Sequence, residues 1–452
     1  MTDREGLWWA KSWNPTRGCK AVSPGCANCY AQKAAGRMGG PGGAYEGLVC
    51  VHPGRGWRWT GEGRLVGSKL VEPLSWRKPQ RVFVDSMSDL FFEEFNNMQI
   101  AAVWCVMAAS PTQTFLVSTK RTERELEWFA WLEQRTDEVL LRKPGASRDW
   151  ARAHFLVLAG CLADVWEGHQ DRAAPADLYA MLGRREYRLP QEWPLPNVYL
   201  IASAEDQAHL DKRLPALLKC PAAMRGLSLE PLLGPIVFPR TALGQGSDCP
   251  ECGFMVAVDA DGCCQHCGRD AMWYGVDFVL AGGETGGQAR PCDLCWLEEI
   301  VHPCTEHDVP VFIKQLGRRA FVVRVDDGKP YDDPCNYRDH RGADVRDWPP
   351  YLRRRQLPPL VTPTAHDDPK AKEPSMSNST NGAPEPARKV RIWSFQHDAW
   401  WRPHSCGYTK NRAEAGLYDR ARAEAIVKSA NIACEPDSPD EETRELDPGE
   451  RP

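Results

Sequence analysis

Three cysteines, Cys19, Cys26 and Cys29, fall within eleven residues near the start of the chain, in NPTRGCKAVSPGCANCYAQ. The thiolate is the metal-binding form of cysteine, and a Cys-x6-Cys-x2-Cys spacing in a Gly- and Pro-rich loop can bring all three to one centre. Three protein ligands on a four-coordinate metal leave one position open, the arrangement of catalytic rather than structural sites. In an iron–sulfur cluster the same shortfall leaves one iron free to bind a small molecule. The competing reading is a structural zinc knuckle completed by a remote His or Cys, which spacing alone leaves open. A zinc hydrolase using the open position is a third reading, and no His-rich ligand set accompanies it.

A second cysteine set follows a different logic. Cys249, Cys252, Cys264 and Cys267 form two Cys-x2-Cys pairs separated by eleven residues, each pair followed by glycine. Four thiolates close a tetrahedral shell, so residues 241–274 are expected to be an inserted zinc ribbon holding a structural Zn2+. A weaker pair, Cys292 and Cys295 with Cys304 nearby, carries little on its own because buried free cysteines are common.

The elements that must position these loops show as a series of short apolar runs, each ending in polar residues. They are RVFVDSMSDLF (Arg81–Phe91), TFLVSTKR (Thr114–Arg121), NVYLIASAED (Asn197–Asp206), RGLSLEPLLGP (Arg225–Pro235), DFVLAGGETG (Asp277–Gly286) and VPVFIKQLG (Val309–Gly317). Such runs are too short and too uniformly apolar for surface helices, and fit strands buried on both faces of a parallel sheet. SWNPTRGC can serve as the end of a first strand, and helix-compatible stretches such as Asn96–Ser110 and Asp206–Cys220 lie between runs. Strand alternating with helix predicts an α/β barrel or open α/β sheet, in which chemistry gathers where the strands end. One rim then carries Ser86, Asp89, Lys120, Arg121, Glu205, Glu230, Glu284, Lys314 and Gln315.

The chain has 452 residues, eighteen cysteines and a net charge of −5, part of which comes from an acidic C-terminal run. That charge gives no global sign of nucleic-acid binding. No stretch is long and apolar enough to cross a membrane, and the N-terminus lacks the pattern of a secretory signal, so a cytoplasmic protein with no membrane partner is expected. In a reducing compartment closely spaced cysteines are better read as metal ligands than as disulfides. Residues 122–192 form a long insertion, expected to be helical in part. Residues 359–389 read as a disordered linker, 390–431 as a small aromatic-rich module and 432–452 as a disordered acidic tail.

The motif WNPTRGCKAVSPGCANCYA, followed in order by FVDSMSDLF, LVSTKR, WPLPNVYLIASAEDQ, LSLEPLLGPI, LAGGETGGQARP, VPVFIKQLG and DHRGADVRDWPPYLRRRQLP, resembles a three-Cys-motif family of phage and bacterial proteins named after phage gene products thirty-seven and sixty-eight. That family in turn looks like a divergent branch of the radical S-adenosylmethionine enzymes. The resemblance implies a partial (β/α) barrel over residues 1–358. Cys19, Cys26 and Cys29 would hold a [4Fe–4S] cluster, whose free iron binds S-adenosyl-L-methionine to generate a 5′-deoxyadenosyl radical. An electron donor for the cluster is implied with it. The family's phage association implies a nucleic acid or nucleotide as substrate.

Two departures stand out. Six residues, not three, separate the first two cysteines, and the Gly-Gly-Glu stretch usual after the second strand is replaced by DSMSDLF. On this reading Ser86, Asp89, Ser203 and Glu205 hold the cofactor, with Gly282, Gly283 and Glu284 as a further candidate contact. Lys120, Arg121, Glu230, Lys314 and Gln315 face substrate, and Arg290 meets an anionic substrate group. The alternative function is a metal-stabilised nucleic-acid-binding or accessory protein, working with a partner protein and without radical chemistry.

Overall fold

The computed structural model describes residues 7–54, 56–161, 192–239, 242–243, 275–322, 339 and 341–360, and the short stretches 389–394, 399–401, 408–410, 418–419 and 441–445. The cysteines of the expected ribbon, Cys249, Cys252, Cys264 and Cys267, lie outside the described residues. The chain divides into two compact units, Met1–Asp137 with Arg148–Pro369, and Glu138–Ser147 with Lys370–Pro452.

The first unit is organised by a seven-stranded sheet: β1 (Lys11–Trp13), β2 (Arg81–Val84), β3 (Thr114–Thr119), β4 (Val198–Ser203), β5 (Met224–Leu229), β6 (Phe278–Ala281) and β7 (Val311–Ile313). Spatial order equals chain order and every neighbouring pair is parallel. Parallel strands need crossovers of one hand, so an unbroken 1-to-7 order sends the chain round in a single direction. The sheet accordingly curls into a half-barrel. All the expected runs are strands, and the segment before the three-cysteine loop supplies a seventh.

Uniform apolarity has the expected cause, burial on both faces. Alternate residues divide between two apolar clusters. Val82, Val84, Phe115, Val117, Val198, Leu200, Leu227, Leu229, Val279, Ala281, Val311 and Ile313 join the large helix-side core. Leu116, Tyr199, Ile201, Phe278, Leu280 and Phe312 join a smaller cluster on the concave face with Trp8. Gly226 sits on that concave face because a Cβ there would lie 2.3 Å from the Phe278 ring.

Between strands run α1 (Tyr30–Gly36), α2 (Asn97–Ala108), α3 (Thr122–Arg142), α4 (Arg148–Cys161), α5 (Gln207–Lys219) and α6 (Leu294–Glu306). Local chemistry marks their starts. Asn96 and Gln99 form a reciprocal capping box on α2, and Asp206 caps α5 by accepting from the His209 N–H at 3.0 Å. Helix α2 is buried from Ile100 to Met107, with Trp104 stacked on Trp128 of α3 at 5.1 Å. The insertion after β3 is therefore helical over α3 and α4, and α2 packs on both.

In the second unit the described strands Lys389–Ser394, Ala399–Trp401, Tyr408–Thr409, Tyr418–Asp419 and Glu441–Glu445 form an antiparallel sheet. Glu441–Glu445 lies where an unstructured acidic tail was expected. Its ladder with Lys389–Ser394 uses main-chain N–H and C=O groups, so an acidic composition does not prevent the pairing.

Candidate metal loop at the mouth of the half-barrel

Since the strands are parallel, their C-terminal ends share one rim, and the rim residues expected from sequence all sit on it. The loop carrying Cys19, Cys26 and Cys29 leaves the end of β1 by way of a short strand, Thr16–Arg17. Gly18 makes the approach possible: its φ is +97°, and a Cβ would meet the Glu62 carbonyl oxygen at 2.1 Å. Pro24–Cys26 forms a 3-10 turn, and Cys29 is the residue before α1. Behind α1 a small apolar cluster of Ala35, Tyr45, Leu48 and Val49 fixes the helix in place.

The loop is gripped from three strand ends. From β3, Arg121 donates to the Lys20 carbonyl at 2.9 Å and approaches the Cys19 sulfur at 3.9 Å. Following β4, Glu205 accepts from the Gly25 N–H at 3.0 Å. Beyond β6, Arg290 donates to the Pro24 carbonyl at 2.9 Å, and Asn28 donates to Glu284 at 3.1 Å and to the Gln288 carbonyl at 2.8 Å.

The gripping groups are themselves held by charge. Arg121 pairs with Asp89 at 2.9 Å and with Glu93 at 3.0 Å. Asp89 also accepts from the Thr119 hydroxyl at 2.7 Å and from the Lys120 N–H at 3.2 Å. Glu205 takes Lys120 at 2.8 Å and Arg213 at 3.1 Å. Burial alone would raise the Glu205 carboxyl, but the Lys120 ammonium, with hydrogen bonds from Lys120, Ser23 and the Gly25 N–H, holds it down at about 2. Glu284 is likewise held below the usual carboxylate range: burial opposes this, but the Arg290 guanidinium and N–H bind it, the ion pair closing at 2.6 Å.

The thiols are shifted the other way. Burial, with the Asp89 carboxylate nearby, pushes the Cys19 thiol up to about 12, and burial also raises Cys29. Cation binding there must release protons. All three cysteines are partly exposed, so the loop can be reached from outside.

Several of the residues assigned from sequence have protein partners. Arg121 is engaged by Asp89, Glu93 and the loop, and Asp89 by Arg121, the Thr119 hydroxyl and the Phe91 and Lys120 N–H groups. Arg290 meets the chain's own Glu284. Glycine at 282 and 283 is accounted for by protein neighbours: a Cβ at Gly283 would meet the Leu316 carbonyl oxygen at 2.2 Å, and one at Gly282 would meet Gln315 and Glu230 within 2.9 Å. Ser86 donates to Asn14 at 3.3 Å, and its carbonyl accepts from Tyr30. Ser203 gives its carbonyl to Arg213 at 2.7 Å. Glu230 meets Lys314 at 3.3 Å and Gln315 at 3.4 Å, a looser set. Cys292 and Cys304 are buried in the core, and burial pushes both thiols up to about 12.

Sequence reasoning missed Asn28, Glu93, Arg213 and Asp85. Asp85 ends β2 at φ +53° and accepts from the Thr16 N–H at 3.1 Å, while its other oxygen is buried with no partner. Burial pushes its carboxyl up to about 8.

Among the described residues, Glu205, Asp206 and His209 bring ligand atoms within 4.8 Å of one another. The Glu205 oxygens are already taken by Lys120, Arg213 and Gly25.

Fold and site together define a class: a parallel α/β half-barrel with a three-cysteine loop strapped across its mouth. Residues 5–345 match the family described as a protein of unknown function, DUF5131, and the chain belongs to it. No curated protein and no solved structure matches the chain. Among the described residues no helix is long and apolar enough to cross a membrane.

Proposed function

We propose that the chain is an iron–sulfur enzyme of the radical S-adenosylmethionine type, with Cys19, Cys26 and Cys29 as ligands of a [4Fe–4S] cluster. The carrying observation is the three-thiol loop held over the C-terminal rim of a parallel half-barrel. The donor set fits the group. Three sulfur donors, the ligand type of iron–sulfur clusters, stand partly exposed in one loop. When bound, such a cluster with S-adenosyl-L-methionine supplies one-electron chemistry that no side chain here can supply.

The chain's own residues do the rest. Arg121, Glu205 and Arg290 fix the loop. Glu230 and Lys314, partly open at the same mouth with the buried Gln315 beside them, are the groups left to orient a second molecule, for which a nucleic acid or nucleotide remains the proposed class. Trp8 and the aromatic floor below them exclude water from the concave face.

Anaerobic purification and reconstitution test this reading. About four irons with matching sulfide per chain are expected, followed by 5′-deoxyadenosine release on reduction with S-adenosylmethionine present. Zinc without iron would sink the proposal in favour of the metal-stabilised accessory protein. So would Cys19→Ala, Cys26→Ala and Cys29→Ala variants that keep the parental iron content.

A further inference from the structure

The spacer between Cys19 and Cys26 is longer than the three residues of the family pattern it resembles, and it is the part of the loop most heavily gripped. Its first carbonyl, Lys20, is taken by Arg121, and its last two residues, Pro24 and Gly25, by Arg290 and Glu205. Between these points Ala21 and Val22 are exposed. All three grips act on main-chain atoms, so they fix where the spacer runs whatever its side chains. Each gripping side chain is also anchored by an ion pair of its own, to Asp89, Lys120 or Glu284.

We propose that Arg121, Glu205 and Arg290 are positioning residues that hold the long spacer in its metal-binding shape before any metal arrives. The inference rests on the three-thiol reading of the site but not on the identity of the metal. An unpinned spacer would lose backbone freedom at the moment of binding; a pinned one has lost it already on folding. The longer gap therefore need not weaken the site.

Arg290 is the grip to remove, since it is partly exposed and lies outside the buried Asp89–Arg121 network. In the full-length chain, Arg290→Met frees the Pro24 carbonyl. Releasing one residue's backbone is worth on the order of tenfold in an equilibrium. Iodoacetamide labelling of the reduced, metal-free chain at fixed pH, read peptide by peptide, should then modify Cys26 about tenfold faster than in the parent. Losing a nearby cation would by itself slow a thiolate reaction, so acceleration reports a loosened loop. In reconstituted protein, iron should leave to a chelator about tenfold faster at unchanged initial loading. Arg290→Lys, which keeps one donor, should fall between the two.

Asn28→Ala, which removes the bonds to Glu284 and Gln288 from the loop side, gives a second variant and should accelerate labelling in the same direction. If Arg290→Met labels at the parental rate, the proposal is overturned, whatever Asn28→Ala does. If the parent holds zinc and no iron, the labelling result still decides this proposal while the iron–sulfur reading fails on its own.

Discussion

The two sides of the rim use the same residue types to opposite ends. From β2 to β4, Asp89, Arg121, Lys120, Glu205 and Arg213 form a network closed at 2.8–3.1 Å, with Arg121 4% and Glu205 0% exposed at the side chain. At the ends of β5 and β7, Glu230 meets Lys314 and Gln315 at 3.3–3.4 Å, with Glu230 13% and Lys314 27% exposed, whereas the Glu284–Arg290 pair beyond β6, closed at 2.6 Å, belongs with the groups that hold the loop. A desolvated ion pair stands only while every partner is present, and removing one leaves a buried charge. A solvated pair can part and re-form with another molecule at little cost. The closed side thus suits holding a loop and the open side suits receiving a ligand.

The harshest way to break this contrast is Arg121→Met. Asp89 would keep its hydroxyl and N–H donors but lose its buried cation, and the expected destabilisation is about 3–5 kcal/mol, read from urea unfolding. A loss under about 1 kcal/mol would place the closed side in the same energetic class as an exposed pair.

A milder probe is Asp85, beside the closed side. Its folded carboxyl titrates at about 8 because burial disfavours the anion. The folded state keeps a proton that the unfolded chain releases near the ordinary Asp range. Stability from this group is therefore present at low pH, falls as pH rises, and levels off above about 8. Glu125, buried with neither oxygen partnered, is raised in the same direction and adds to the slope. Asp85→Asn removes the Asp85 part. Asparagine also tolerates the positive φ better than most residues. The variant should melt close to the parent at about pH 3, below the ordinary Asp range, and be more stable by at least about 1 kcal/mol at pH 8. Parallel pH profiles for the two proteins would show that Asp85 is ionised in the fold.

How far the sequence carried the site follows from which contacts are local. The strands were legible because burial on both faces leaves an uninterrupted apolar run, and the rim because each run ends in a polar residue. Even the loop's place at the rim followed, since β1 delivers it to the same end. Which rim residues would turn inward to one another was not legible. Gly25 meets Glu205 across 180 positions and Asn28 meets Glu284 across 256. No periodicity encodes such a pairing. Arg213 is unremarkable in its helix until α5 packs beneath Glu205, and Arg290 read as an anion binder because its anion, Glu284, lies across a glycine turn. The reason for glycine at 283 was hidden in the same way: the atom that excludes a side chain there belongs to the Leu316 carbonyl.

The smallest expected effect on stability is the most informative about the open side. Glu230→Gln keeps the shape and an acceptor for Gln315 while deleting one charge. Because Lys314 can turn to water, unfolding free energy should change by less than about 1 kcal/mol, and iron per chain should stay at the parental value. The matched change on the closed side, Glu205→Gln, strips the countercharge from both Lys120 and Arg213 and weakens the hold on Gly25. It should therefore cost several kcal/mol, on the order of 3, and lose iron to a chelator faster. The two variants make the same chemical edit, so a difference between them can only come from place. If Glu230→Gln also sheds iron, the division between a holding side and a receiving side fails, and Glu230 belongs to the support of the cysteine loop.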